Sequence, residues 1–222
     1  LVLLPTRHCC YDFIKSMDSV EGKTSEHWDR FETEYGQPPA IEEDADEHRE
    51  RVLQQKSADW KDLFGDERNK DDDFRIGVQW KNGQVKLYSD FFKSDIIVAS
   101  PLALKMLEST DCLSSIEICL IWRADVLLQQ NWDHVNDVLG FLNQQPKETN
   151  ETDFARVREY ILAGQAAHWR QLIVTSNFTD PLIQSTFRKY SKSLDGQVKI
   201  RRKFLPQDAS ISSVLTPIRQ VF

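Results

Sequence analysis

Trp122, Arg123, Ala124 and Asp125 close an apolar run that begins at Ile116, within the stretch LIWRADVLL at 120–128. An apolar run that ends in a polar turn is how a buried parallel strand feeds a helix. In nucleotide-driven enzymes that turn carries two acidic residues, one near Mg²⁺ and one polarising water. Here Trp122 offers no oxygen to a metal, and Arg123 is a permanent cation that repels one. Asp125 alone is left. One carboxylate without a phosphate-binding loop does not make a hydrolase, so this degenerate position predicts no catalysis and no bound metal. The plainer reading is a strand end with Trp122 packed and Arg123 exposed or paired with an acid.

Other chemistry is sparse. Gly22-Lys23-Thr24 has the ending of a phosphate-binding loop, but the glycine required five residues earlier is Met17. The segment also follows a helical pattern instead of a strand, so no nest of amides faces a phosphate. Neither Gly-x-Ser-x-Gly nor His-Glu-x-x-His occurs, and Asp71-Asp72-Asp73 lacks the spacing and glycine turn of a calcium loop. That acidic run reads as solvated surface. Cys9, Cys10, Cys112 and Cys119 form no Cys-x-x-Cys pair. They point away from zinc and disulfides and fit a reducing compartment. No cofactor is expected. The sequons at Asn150 and Asn177 carry no meaning without secretion.

The elements that must hold these residues follow from periodicity. Residues 1–4 are a short apolar strand, and Cys10, Phe13, Ile14 and Met17 mark a helix after it. Residues 21–70 are polar and acidic, and read as an insertion packed loosely on the core, with a helix over about 41–64. FRIGVQW, Lys81-Asn82-Gly83 and QVKLY predict a β-hairpin with a tight turn. Strands follow at 96–99, 116–121, 171–175 and 198–201. Helices are expected after Ser100-Pro101, over Trp132 to Leu142, from Thr152 or Asp153, and from Asp180-Pro181, where a cap precedes a proline. This alternation predicts an α/β fold with a doubly wound, mostly parallel sheet.

The chain has 222 residues, 40% hydrophobic and 28% charged, with a net charge of −7. That composition suits one sizeable globular domain and holds no apolar run long enough to span a membrane. LVLLP lacks a basic n-region and does not read as a signal peptide; a start inside an apolar strand suggests a fragment of something longer. From 42 to 73 there are 13 acidic and 6 basic residues, and from 183 to 203 there are 7 basic and 1 acidic. A basic C-terminal patch on a near-neutral body suits RNA phosphates, and equally a solvated helix face.

Four strand-end motifs line up in order. LVLLPTR (1–7) resembles motif Ia of the DEAD-box RNA helicases, IIVASPLAL (96–104) motif Ib, LIWRAD (120–125) the DEAD box, and LIVTSN (172–177) motif III. The stretches 71–105, 124–135 and 152–181 resemble the digestive organ expansion factor family, also named for U3 small nucleolar RNA. The resemblance implies a RecA-like fold of the P-loop NTPase type without working ATPase motifs. It further implies a nuclear, nucleolar ribosome-biogenesis factor of the small-subunit processome, acting in rRNA processing to 18S rRNA. Residues 1–222 would then be a partial first RecA-like domain from motif Ia onward, its phosphate-loop strand and the second RecA-like domain lying elsewhere. The family resemblance implies a milder Asp-Gln-like pair before Ala124-Asp125, from which Trp122-Arg123 depart.

By that resemblance Thr6, Arg7, Ser100 and Pro101 are candidate RNA-backbone contacts, with Arg201, Arg202 and Lys203 added on charge. Arg7 and Ser100 could instead only cap helices. The expected partners are U3 small nucleolar RNA, pre-rRNA and processome proteins, and no membrane. An active RNA-dependent ATPase with its phosphate loop upstream is one rival; docking of basic proteins on the acidic segment is another.

Overall fold

The computed structural model describes residues 1–21, 25–36, 55–58, 60–61, 69–81, 83–148 and 157–201. It is an α/β structure around one six-stranded mixed sheet. In chain order the strands are β1 (Val2–Leu3), β2 (Arg75–Lys81), β3 (Gln84–Leu87), β4 (Ile96–Ala99), β5 (Ile118–Ile121) and β6 (Gln171–Val174). Across the sheet they run β3-β2-β4-β1-β5-β6. Pairing is parallel from β4 through β1 and β5 to β6, and antiparallel where β2 meets β3 and β4. Lys81 stands opposite Gln84, and the intervening Gly83 has φ of 73°, a conformation glycine adopts without strain.

Helices cover both faces. On one face lie α1 (Arg7–Glu21) and α2 (Trp28–Tyr35). Cys10 and Ile14 of α1 and Phe31 and Tyr35 of α2 are buried, each pair four residues apart and so on one side of its helix. They pack with Val2, Leu4, Ile76, Val78, Leu87 and Val98. Phe31 stacks on Tyr11 and Tyr35 at ring-centroid distances of 5.7 and 4.7 Å.

The other face carries α3 (Pro101–Lys105), α4 (Ala124–Gln129), α5 (Trp132–Phe141) and α8 (Pro181–Tyr190). Leu3, Ala99, Cys119, Ile121 and Leu172 meet Leu104, Leu127, Trp132, Val135, Leu139 and Ile183 there. Asn131 and Asp180 cap α5 and α8 by accepting from the amides of Asp133 and Leu182. Trp132 Nε1 donates to Thr186 Oγ1 at 3.0 Å and locks the two helices together. Two short helices, α6 (Glu159–Leu162) and α7 (Ala166–Trp169), lead into β6. There Arg170 is buried, donating to Asn143 Oδ1 and Tyr190 O at 2.8 and 3.0 Å.

Three expectations change. Residues 28–35 lie in the stretch expected to pack loosely, yet Phe31 is 0% exposed at the centre of a core. Apolar side chains four apart in a charged segment bury well once an aromatic surface waits for them. Residues 198–201 form no strand and are exposed: among the described residues no neighbouring strand offers them hydrogen bonds. The fifth strand begins at Ile118, two residues later than expected. The helix expected over 41–64 falls outside the described residues apart from 55–58 and 60–61, and the start expected at Thr152 or Asp153 falls outside them entirely.

Glycine is required at position 77, where a Cβ would overlap Ser89 O and Ser94 Oγ. Phe31→Ala is expected to cost about 3–5 kcal/mol of folding stability, measured by urea unfolding. A loss under about 1 kcal/mol would show that α2 is not part of the core.

Candidate functional site

Four strands end side by side, and each ends in one of the motifs. The β5 turn is the most tightly built. Arg123 takes the left-handed conformation, φ 55° and ψ 53°, which costs a non-glycine residue about 1–2 kcal/mol. Neighbouring atoms hold it there. Arg123 N donates to Thr175 Oγ1 at 3.1 Å, Ala124 N to Thr175 O at 2.8 Å, and Trp122 N to Leu3 O at 3.0 Å.

That turn folds the Arg123 side chain back over its own loop. Its Nε and Nη2 both lie 3.2 Å from Asp125 Oδ2, and Asp125 is buried, its side chain 6% exposed. Asp125 Oδ1 accepts from Asn177 N at 3.3 Å. Both carboxylate oxygens are therefore engaged, one by a permanent cation and the other by a backbone amide. Among the described residues no group of three or more His, Cys, Asp and Glu could hold a metal. Trp122, by contrast, is 46% exposed, so the expectation that it packs is corrected: its strand neighbours give it no covering layer.

At the β1 end, Thr6 is 1% exposed and its Oγ1 accepts from Cys9 N at 3.4 Å, opening α1. Arg7 is held from several sides. Its Nη2 donates to Asp73 O at 2.8 Å, its Nη1 to Glu34 O at 3.4 Å, and its guanidinium lies 5.5 Å from the Tyr35 ring centroid. Nε stands 3.0 Å from Asp71 Oδ2, close enough for an ion pair but poorly angled for a hydrogen bond. The first amides of α1 are also taken: Arg7 N donates to Asp71 O at 2.8 Å and His8 N to Asn69 O at 3.0 Å. The acidic run at 71–73 thus does more than meet solvent. It plugs the start of α1.

At the β4 end, Ser100 is 1% exposed and its Oγ accepts from Ala103 N at 3.0 Å, while Pro101 is buried at the first position of α3. Beside them a notch of about 180 Å³ is lined by Asp72, Gln130, Asn131 and His134. Its lining holds an acid, Asp72, and no Lys or Arg, so it does not suit a phosphate.

Arg201 is exposed, as are Arg188, Lys189, Lys192 and Lys199; Arg202 and Lys203 lie outside the described residues, as does Gly22-Lys23-Thr24. The candidate residues therefore form two groups. Thr6, Arg7, Ser100 and Pro101 gather at the strand ends beside the Arg123-Asp125 turn, and Arg201 stands apart with the basic C-terminal stretch. The contributions of Thr175 and Asn177 went unnoticed in the sequence, although LIVTSN placed both at a strand end.

The thiols carry no activated nucleophile. Burial pushes Cys10 well up and Cys119 up to about 11, and Cys9 and Cys112 rise for the same reason. Among the described residues, no helix is long and apolar enough to cross a membrane.

An α/β domain with a mixed six-stranded sheet and an ion pair closing its β5 turn is the class these features define. The chain belongs to the family described as UTP25, NTP hydrolase-like domain, whose model matches residues 1–198. It is 37% identical over 210 residues to U3 small nucleolar RNA-associated protein 25 of Pyricularia oryzae, covering 90% of this chain and 28% of that protein. The protein of the same name in Schizosaccharomyces pombe is 39% identical, with 90% and 30% covered. Protein NUCLEOLAR FACTOR 1 of Arabidopsis thaliana is 33% identical, with 100% and 32% covered. The chain thus spans about a third of the length of these curated relatives. No solved structure matches.

Breaking the turn should be non-additive. Arg123→Ala strands a buried carboxylate, whereas Arg123→Ala with Asp125→Ala removes both charges. Thermal or urea unfolding of the two single variants and the double variant is expected to give a coupling of about 1–3 kcal/mol. Additive losses would mean that the pair is not formed in solution.

Proposed function

We propose that this chain is the first, partial RecA-like domain of a nucleolar small-subunit processome factor that acts as a scaffold in pre-rRNA processing and does not hydrolyse ATP. The Arg123-Asp125 pair carries this reading. Arg123 stands where a hydrolase would keep one of its two acidic residues, and its guanidinium, 3.2 Å from the buried Asp125 carboxylate, would repel Mg²⁺. The names of the relatives, two of them U3 small nucleolar RNA-associated proteins and one a nucleolar factor, support association with that RNA and a nucleolar setting.

RNA phosphates meet the exposed basic stretch around Lys199 and Arg201, continued by Arg202 and Lys203. Arg7 adds a guanidinium at the strand ends, where Thr6, Ser100 and Pro101 set the helix starts. Such contacts position RNA without reading its sequence. An alternative role, docking of basic assembly proteins, rests on the 13 acidic residues between 42 and 73. Deleting that segment and following co-sedimentation with pre-ribosomes separates it from RNA binding.

In the full-length protein, Lys199→Ala with Arg201→Ala is expected to weaken RNA binding evenly across sequences. The slope of affinity against salt should fall by about two, with the melting temperature unchanged. Arg7→Ala should lower stability as well, since three of its contacts hold α1 in place. RNA affinity unaltered at low salt by Arg7→Ala with Arg201→Ala would remove this site assignment.

Turnover of ATP by the full-length protein is expected to stay at background with and without RNA. RNA-stimulated hydrolysis would replace the scaffold with the ATPase reading, as would a working phosphate loop elsewhere in the protein.

A further inference from the structure

The motif turns lie at one end of the strands, and the opposite end of β6 carries a different kind of surface. Trp169 closes α7 there and is 59% exposed, more than any other described tryptophan. A single exposed apolar residue needs no explanation, but this one belongs to a built arrangement. Its ring stacks on Tyr160 of α6, with centroids 5.1 Å apart and planes 28° from parallel. Tyr160 is pinned in turn. Arg158 Nη1 donates to its hydroxyl at 3.1 Å, and that hydroxyl donates to Glu117 Oε1 at 3.4 Å. The backbone fixes the pair as well. Gly164, with φ of 69°, turns the chain from α6 toward α7, and Gln165 N donates to Tyr160 O at 2.8 Å. On the other side of Trp169, buried Arg170 is anchored to Asn143 and Tyr190. Among the described residues Tyr160 is the one ring against Trp169, and Trp169 Nε1 has no hydrogen-bond partner.

The ground beside this pair is positive although the chain is not. Residues 192–194 run along α7: His168 Nδ1 lies 3.2 Å from Lys192 O, and Leu194 N donates to His168 O at 3.1 Å. Exposed Lys192 is thereby tied to the residue before Trp169. Residues 188–201 hold five Lys or Arg and one acid, within a chain of net charge −7. A flat ring held ready at the border of a cationic stretch suits an unpaired nucleic-acid strand, whose base stacks while its phosphates follow the cations. Paired RNA keeps its bases inside the helix and has no face to offer. A protein docking on the two rings would gain apolar cover from them but nothing from the charge beside them, so the charge favours the polyanion.

We propose that Trp169, backed by Tyr160, stacks one base of an unpaired RNA segment whose phosphates run along Lys192 toward Lys199 and Arg201. The site rests on the RNA-binding reading above and extends it. Phosphate contacts alone accept paired and unpaired strands alike, whereas a stacking ring selects the unpaired one. It does so without reading sequence, because every base has a face to stack. Tyr160 already holds the indole in place, so little ordering remains to oppose binding. The contact lies at the end of β6 away from the Arg123-Asp125 turn and needs no nucleotide hydrolysis.

The test uses the full-length protein, with a short oligouridylate as the unpaired probe and an RNA duplex of equal length beside it. Trp169→Ala is expected to weaken oligouridylate binding about tenfold. Duplex affinity, the slope of affinity against salt and the melting temperature should all stay unchanged, because the lost contact is neither ionic nor part of the core. Trp169→Phe should restore most of the affinity. In the unsubstituted protein, oligouridylate carrying thiouridine should photo-crosslink to the peptide that contains Trp169. A crosslink elsewhere only, or an equal loss on the duplex, overturns the proposal. Full affinity in Trp169→Ala beside weakened binding in Lys199→Ala with Arg201→Ala overturns the stacking site and leaves the RNA reading standing. No binding of either RNA by the unsubstituted protein overturns both. Full RNA affinity in Trp169→Ala with weaker co-sedimentation with pre-ribosomes overturns it in favour of a protein partner.

Discussion

Two residues carry the centre of this structure. β1 is only Val2–Leu3, yet it pairs with β4 on one side and β5 on the other, and both of its faces are buried. A strand so short has few hydrogen bonds to give, and every one is used. Leu4 N donates to Ala99 O, Leu120 N to Leu1 O, Trp122 N to Leu3 O, and Leu1 N to Ile118 O at 2.8 Å. Because β1 sits between β4 and β5, it fixes the spacing of the Ser100 and Arg123 turns on either side. The candidate site inherits its geometry from this pairing.

At the turns themselves the protein consistently satisfies its polar groups internally. Thr6 and Ser100 close helix starts, the 71–73 backbone takes the first amide of α1, and Arg123 and Asn177 take both oxygens of Asp125. A catalytic loop keeps such groups free for substrate, and a structural one spends them on itself. The β5 and β6 turns are wired together through Thr175, which joins two of the motif positions directly.

Much of this was legible in the residues. The strands at 96–99 and 171–174 and the helices capped by Asn131 and Asp180 follow from local periodicity and local caps. What stayed hidden was non-local. α2 is a charged octapeptide whose Phe31 and Tyr35 gain meaning only from Tyr11 and Phe74, far away in sequence. The Asp71-Asp72-Asp73 run read as plain surface because its carbonyls, which no sequence pattern reports, meet Arg7. For Arg123 the choice between exposed and paired was stated, and its partner lies only two residues along, brought near by a left-handed backbone that arginine rarely adopts. Residues 198–201 have the alternation of a strand, but pairing needs a neighbour that alternation alone cannot supply.

The Arg123-Asp125 pair also has an evolutionary consequence. An acidic residue in place of Arg123 would put two carboxylates into a nearly closed turn with no counterion, and a neutral one would leave Asp125 bare. A single substitution that removes the Arg123 charge therefore passes through a less stable protein. The ion pair works as a ratchet: it preserves the present turn through ordinary selection on folding, whatever selection acts on the surface.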